Sequence, residues 1–423
     1  MSFEREPVLA SFSFLLGVCL LVLLTGCASS RAPTLQVWIW DYNPDTQKLF
    51  KEKLVPRFEA SHPGVKVNVE FIPWARLDEK LAITFAGGVS PDVFQVGTEY
   101  VGGLARRGQA LCLDDYVRRW GQQADFYQAA WNACVYRGHV YGLPYLSAPH
   151  ALLYRKDLLS KAGLSRPPET WPELAEWAVK LTERKRDRIT LAGLNLRVTW
   201  QTFVNLLWQN EGELFTSDER RSLLDRPEAI EALQFYVDLY HKYRVCPTAS
   251  LPTAGGGVPV FASGRAAMDF SNQLGIKNLK KFAPDLLPKV GVAPLPKGKR
   301  RLLSVYTDWL AISPQSKHKQ LAWDFVAFLL EKENLVAYDE TLFYLPPRRS
   351  CADAKFLQDN PQLQTFVALM DKYGRSLPPI PEWFEIRSGL KAAVEAAVYQ
   401  SKTPRRALRD LSRDLNELLA EKQ

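Results

Sequence analysis

The sequence predicts an α/β fold divided between two compact bodies, and three observations carry that expectation. The 423 residues exceed what one ordinary core holds. Strand and helix patterns alternate over residues 35–96 in a βαβαβ order. Extended, proline-bearing stretches then punctuate the chain, the first being Tyr141-Gly-Leu-Pro-Tyr-Leu-Ser-Ala-Pro-His150. Pro144 and Pro149 fix their own φ and bias the preceding residue toward extended backbone, so this stretch suits a crossing between bodies.

The elements follow in order. Leu35-Gln-Val-Trp-Ile-Trp40 alternates and is rich in β-formers, so it reads as a first strand. Lys48 to Ser61 carries Leu49, Phe50, Leu54 and Phe58 at helical spacing and stops before His62-Pro-Gly64. Val65 to Phe71 alternates strictly as a half-buried strand, Leu77 to Ala86 reads as a helix ended by Gly87-Gly88, and Pro91 to Val96 reads as a third strand. Ligands of parallel sheets sit outside the carboxyl ends of the strands. That puts Trp40, Asp41, Gly97, Thr98, Glu99 and Tyr100 on the relevant edge. After the first crossing, Ala151-Leu-Leu-Tyr154 is an apolar strand and Lys156-Asp157 a helix start. Thr170 and Glu173 form a capping-box pattern with Pro172 in the first turn, ahead of a face of Leu174, Trp177, Ala178 and Leu181. At the C-terminus, residues 389–399 and 405–419 are helical, and the stripe Leu408, Leu411, Leu415, Leu418 is expected to pack on a lobe rather than dimerise.

Val8 to Leu24 is apolar and ends in Leu24-Thr-Gly-Cys27, which reads as an export signal. The small residues before Cys27 resemble the bacterial lipobox, which implies cleavage after residue 26, a lipid on Cys27 and a linker over 27–34. The side chains of Ser2-Phe-Glu-Arg-Glu6 depart from the usual positive start of such leaders. No other apolar run approaches the ~20 residues that span a bilayer.

Composition excludes several functions. The net charge of +8 is dispersed and comes without a nucleic-acid motif, so a solvated basic surface is expected. None of the six cysteines is spaced as C-x-x-C. Cys112, Cys134, Cys246 and Cys351 leave two disulfides or free buried thiols equally open. No G-x-S-x-G, H-E-x-x-H, Walker A or G-x-G-x-x-G sequence occurs, and the five histidines show no metal-ligand spacing. Neither cofactor nor metal is therefore expected, and no catalytic pair is selected. Gly255-Gly-Gly257 reads as a flexible loop before Phe261, with an anion cradle as the lesser reading.

A run of motifs in one order then becomes specific. Gly142-x-Pro144 is followed by Leu153-Tyr-x-Lys-Asp-Leu158, Ala162-Gly-Leu164, Pro167-Pro168 and Thr170-Trp-x-Glu-Leu174. Pro91-Asp-Val-Phe94, Phe261-Ala-Ser-Gly-Arg-Ala-Ala-Met268, Val292-Ala-Pro-Leu-Pro296, Ile312-Ser-Pro-Gln-Ser-Lys317 and Leu345-Pro-Pro-Arg348 complete the series. Together they resemble the bacterial ABC-importer solute-binding proteins of the maltose-binding type over nearly all of residues 34–420. The resemblance implies two discontinuous α/β lobes around a ligand cleft: 35–144 plus 305–345, and 151–296 plus 349–423. Hinge crossings would lie near 145–150, 297–304 and 346–348. It further implies a monomeric, lipid-anchored, extracytoplasmic binder of a sugar or oligosaccharide that serves ABC permease subunits, not an enzyme and not a nucleic-acid binder. The same fold holding a phosphorylated polyol or other small anion, a sensory binding protein, and a secreted carbohydrate-active enzyme are the alternatives.

With 12 Trp, 16 Tyr and 21 Phe, the chain has aromatics to spare for a ligand. A sugar offers apolar C–H faces and a hydroxyl rim, which suit an aromatic platform edged by polar groups. The candidate contacts are Trp40, Asp41, Glu99 and Tyr100 after strands, and Tyr145 and Ser147 in the first crossing. Trp200 (beside Gln201), Ser271, Asn272 (after Phe270), Tyr306, Asp308, Arg348 and Trp383 follow. Trp40, Tyr145 and Trp383 lead that group, whereas Trp177, Trp208 and Trp323 read as core.

Overall fold

The computed structural model describes residues 32–186, 188–247 and 258–421. The leader, Cys27 and Gly255–Gly257 lie outside these residues. Among the described residues thirteen strands run in the order β1 (Thr34–Trp40), β2 (Lys66–Ile72), β3 (Val93–Gly97), β4 (Val135–Tyr136), β5 (His139–Val140), β6 (Gly142–Pro149), β7 (Ala151–Arg155), β8 (Glu183–Lys185), β9 (Arg188–Leu191), β10 (Met268–Ser271), β11 (Val290–Ala293), β12 (Leu303–Ile312) and β13 (Gly374–Arg375).

The first three expected strands form within a residue or two of their expected bounds, and β1 pairs parallel with both β2 and β3. The first helical segment begins earlier than the apolar pattern alone indicates, at Pro44, because Asn43 caps it: its side chain accepts from the Thr46 amide at 2.9 Å. A π-helical stretch, Phe50–Leu54, lies just before Pro56. Pro56 has no N–H to give to Glu52, so the helical ladder loosens where that bond is missing. The helix Trp171–Leu181 is capped by Thr170, whose hydroxyl accepts from the Glu173 amide at 3.3 Å. The reciprocal bond of the expected capping box is displaced, because the Glu173 carboxylate takes the amide of Glu169 at 2.7 Å.

Two sheets organise the chain. In the larger one, β2, β1, β3 and β12 lie side by side, β13 continues along the same edge of β12, and β6 pairs with its other edge. Here β12 is antiparallel to β3 over Asp308–Ile312 and antiparallel to β6 over Val305–Ala311. The smaller sheet places β7 between β10 and β11. One face of the large sheet packs Val37, Ile39, Phe50, Phe58, Leu310 and Phe325, and the other packs Trp38, Leu81, Phe94, Val96 and Trp309. A third core, with Leu152, Leu174, Phe203, Trp208, Tyr236 and Met268, belongs to the smaller sheet. The stripe residues Leu408, Leu411 and Leu415 enter that core. Trp177, Trp208 and Trp323 are buried, in keeping with their helical spacing.

The first crossing is a single extended path. Pro149 ends β6 opposite Val305, and Ala151 begins β7 opposite Ser271, so only His150 separates the two sheets. Its amide donates to the Ser304 carbonyl at 3.1 Å. In the second crossing, Lys297 donates to Glu169 O at 2.9 Å and accepts from the Trp171 amide at 3.0 Å. In the third, Leu345 and Ser147 exchange backbone bonds of 2.8 and 3.2 Å. The four described cysteines are free thiols, with Cys112 exposed and Cys134, Cys246 and Cys351 buried.

In the first crossing Tyr145 faces the core. It is wholly buried and stacks on Tyr338 at 4.1 Å between centroids. Its hydroxyl has no hydrogen-bond partner among the described residues. Tyr145→Ala should therefore cost about 3–5 kcal/mol in a urea unfolding experiment, as expected for emptying a large core site. Tyr145→Phe should leave stability level or slightly raised, since it removes a buried, unsatisfied hydroxyl.

Candidate functional site

The carboxyl ends of β1, β2 and β3 collect a group of aromatic and acidic side chains. Trp40 ends β1 and is held by its indole N–H, which donates to the Gln95 carbonyl at 2.8 Å. Its ring meets Trp74 edge-on at 4.2 Å, and Trp74 in turn meets Tyr100 at 5.9 Å. Trp74 follows the carboxyl end of β2 and is 42% exposed. Gly97 leaves room here, since a Cβ on it would lie 2.9 Å from Glu99 Oε2 and 3.4 Å from the Trp40 ring.

Asp308 rises from the middle of β12 into the same region. It accepts from the Tyr42 hydroxyl in a short hydrogen bond and from Gln95 Nε2 at 3.2 Å. Burial, helped by the neighbouring Glu99, pushes its carboxyl up to about 8 against the lowering pull of both hydrogen bonds. Glu99 is also raised, again chiefly by burial, with Arg387 at 3.7 Å pulling the other way. At neutral pH the Asp308 carboxyl is mostly protonated and can donate as well as accept.

The second wall comes from the other lobe and the crossings. Tyr306 on β12 faces Trp200 at 6.0 Å and His150 at 5.4 Å, and Trp200 faces Trp383 at 5.6 Å. Trp200 starts its helix because Thr199 caps it, accepting from the Thr202 amide. His150 accepts or donates at Nδ1 to the Ser304 hydroxyl at 3.1 Å; burial, with Arg197 nearby, pushes it down to about 4, so it is neutral at pH 7. A hollow beside it is lined by His150, Arg197, Gln201, Asn205 and Phe270. A larger one, about 530 Å³, adjoins Asn195, Arg197, Asp269, Ser271 and Asn272. Asn195 donates to Asp269 at 2.6 Å, yet burial still raises Asp269 to about 6. Arg197 is exposed, and its guanidinium makes no hydrogen bond or ion pair among the described residues.

Of the sequence candidates, Trp40, Glu99, Tyr100 and Asp308 gather on the first wall, and Tyr306 and Trp200 face each other on the second. Trp383 is fully buried behind Trp200. Ser271 and Asn272 edge the second hollow, where Asn272 also caps the helix Gln273–Phe282 through the Leu274 amide at 3.1 Å. Asp41 is exposed at the rim and accepts from Gln47 at 2.9 Å. Three candidates lie elsewhere. Tyr145 is in the core, and Ser147 is buried against Thr307 at 3.4 Å. Arg348 is taken up by Asp125 at 2.6 Å, the Leu330 carbonyl at 2.5 Å and Gln122, so it fastens the third crossing instead of facing the cleft. The sequence reading passed over Trp74, Tyr42 and Asn195. Trp74 was accessible to the same strand-end rule that found Trp40, because Ile72 closes β2 two residues before it.

A profile of the bacterial extracellular solute-binding protein family matches residues 43–335. The chain belongs to that family. A Brucella abortus protein named only as a binding protein is 27% identical over 94% of this chain and 96% of its own length. The maltotriose-binding protein of Pyrococcus abyssi is 25% identical over 87% of this chain and 78% of its own. Among solved structures, the sugar-binding protein MalE of Xanthomonas citri superposes with a TM-score of 0.82 at 24% identity, covering 92% of this chain and 98% of that one. At that identity the likeness speaks for the fold, which is that of the two-lobed binding proteins.

The raised Asp308 fixes a sign. A carboxyl near 8 in the folded protein and about 3.9 unfolded binds its proton only when folded between those values. Stability from this group is therefore present at low pH and falls as pH climbs from about 4 to 8. In urea unfolding across that range, Asp308→Asn should flatten the decline; an unchanged slope would mean Asp308 is ionised throughout.

Proposed function

We propose that this chain is the capture subunit of an ABC importer, holding a neutral sugar or oligosaccharide between its lobes and passing it to a membrane permease. The observation that supports this most is the meeting of an exposed Trp74, seated on the buried Trp40, and buried polar groups that carry little charge at pH 7. Protonated Asp308 and neutral His150 offer hydrogen bonds to hydroxyls without the desolvation cost of paired ions. Similar proteins support the class of ligand: maltotriose is in the name of one, and diacetylchitobiose in that of a Streptomyces coelicolor relative 24% identical over 94% of this chain. No bond is broken in this role.

In this reading the lobes comprise residues 35–144 with 305–345 and 151–296 with 349–423, hinged at the three crossings. A ligand touching both walls favours the closed arrangement by its extra contacts there. Trp40, Trp74, Glu99, Asp308, Tyr306 and Arg197 are the proposed contacts. Cys27 is the proposed lipid site, following removal of residues 1–26, and the protein works as an extracytoplasmic monomer. No helix among the described residues is long and apolar enough to cross a membrane, which is compatible with a tether.

One observation favours a second ligand class. The free guanidinium of Arg197 could receive a phosphate or carboxylate, as in the phosphorylated-polyol reading. Against it stands Asp269, which lines the same hollow as Arg197.

Isothermal titration against neutral oligosaccharides and glycerol phosphates separates these readings. The sugar reading expects an oligosaccharide to bind with a Kd that barely moves with salt; a glycerol phosphate that binds instead, and weakens steeply with salt, would replace it. Trp74→Ala should weaken the oligosaccharide about tenfold, the loss of one aromatic platform of about 1.4 kcal/mol. Its exposed position should leave the melting temperature nearly unchanged.

A further inference from the structure

Away from the cleft, three side chains that the sequence scatters are brought to one point. Cys112, Asp114 and His139 each turn a ligating atom into a cluster whose atoms all lie within 4.8 Å of one another. The five histidines gave no metal-ligand spacing, because His139 stands 25 positions beyond Asp114 and reaches it only through the fold. We propose that this cluster is a binding site for a single borderline-soft divalent cation of the zinc class.

The local structure holds the three groups in register. His139 opens β5, opposite Tyr136 of β4. The connecting residues Arg137 and Gly138 have φ of 49° and 82°, the positive pair of a tight two-residue hairpin turn. That turn sets the imidazole on the side facing the helix Asp114–Trp120. The helix start is fastened to the same hairpin: the Asp114 carboxylate accepts from the Val140 amide at 2.9 Å, and the Leu113 amide donates to the Val140 carbonyl at 2.7 Å. The segment just before Cys112 is pinned to β12, since the Leu111 amide donates to Ile312 O at 2.8 Å. Asp114 thus keeps one oxygen on the hairpin backbone and turns the other to His139 Nδ1 at 2.7 Å. A carboxylate oriented by a backbone donor is a common support for a metal ligand.

The donor set selects the metal. A thiolate with an imidazole and a carboxylate suits Zn²⁺ and disfavours Mg²⁺ or Ca²⁺, which prefer all-oxygen shells. Around a tetrahedral Zn²⁺, nitrogen and oxygen ligands at about 2.0–2.1 Å stand about 3.3 Å apart, and sulfur at about 2.3 Å stands about 3.6 Å from the nitrogen. The one direct contact, His139 Nδ1 to Asp114 at 2.7 Å, is shorter than the first of these values, so the imidazole and the carboxylate part by about 0.6 Å to admit the cation. Binding requires the Cys112 thiol to lose its proton to solvent as the cation takes the sulfur. Cys112 is exposed and His139 largely so, which leaves the entry path open and the fourth position to water.

The test uses the purified protein without a polyhistidine tag. Titrated with Co²⁺, it should bind one equivalent and show a thiolate-to-cobalt charge-transfer absorption in the near ultraviolet, which Zn²⁺ then abolishes by displacement. Zn²⁺ should also raise the melting temperature, because it ties the hairpin to the helix start. Cys112→Ser should remove the charge-transfer band, and His139→Ala should weaken Zn²⁺ binding at least tenfold, both with the far-ultraviolet circular dichroism of the parent protein. Absence of the cobalt band in the parent protein overturns the proposal. So does a band that persists in Cys112→Ser, which would mean that another thiol binds the metal.

Discussion

The pairing of β6 with β12 is the interaction on which the rest of the molecule depends. One long strand, Leu303–Ile312, carries β3 and β13 on one edge and β6 on the other. Because β6 runs into β7 through His150 alone, the ladder that completes one sheet also delivers the chain into the other. Seven of the eight β6 residues pair with β12, Tyr145 standing unpaired at a bulge, and a one-residue slip would turn apolar side chains such as Leu143 out of the core. Gly142 tightens that register, since any Cβ there would sit 2.0 Å from the Trp309 ring. The prolines of this stretch thus belong to a strand, and the hydrogen-bond partners change at the single residue His150.

That geometry explains the chemistry of the cleft. Tyr306 and Asp308 sit on β12 of the larger sheet, and Tyr306 lies beside His150, where the chain leaves that sheet for the smaller one. Burial at the seam removes charge: Asp308 is pushed up and His150 pushed down, both toward their neutral forms. In the proposed function, neutral donors and acceptors between tryptophans meet hydroxyl-rich ligands through direction instead of net charge. Arg197, whose guanidinium makes no hydrogen bond or ion pair among the described residues, belongs to the second wall.

Much of this was legible in the sequence, for reasons that differ by residue. Strand alternation and glycine stops gave β1 to β3 and the helix Leu77–Ala86, because one buried face per element imposes a period. Trp40, Glu99 and Tyr100 came from the rule that parallel strands present their carboxyl ends. Tyr145 and Arg348 show where that reasoning ends: an aromatic or an arginine in a crossing looks the same from sequence whether it faces a ligand or a core. Tyr338 and Asp125, the partners that capture them, stand 193 and 223 residues away. The cluster of Cys112, Asp114 and His139 was invisible for the same reason, since a two-residue turn and two backbone hydrogen bonds assemble it. Whether the four body cysteines pair was likewise a question of distance, and they remain free thiols.

The central claim is that the ligand sits at the seam and touches both walls. Hydrogen–deuterium exchange of the purified protein, with and without the tightest-binding oligosaccharide from the titration panel, tests it most directly. The account predicts slowed exchange at residues 40–42, 72–76 and 97–100 of one lobe together with 195–201 and 268–272 of the other. Slowing confined to one lobe, or to surfaces remote from β12 such as residues 355–373, would contradict it.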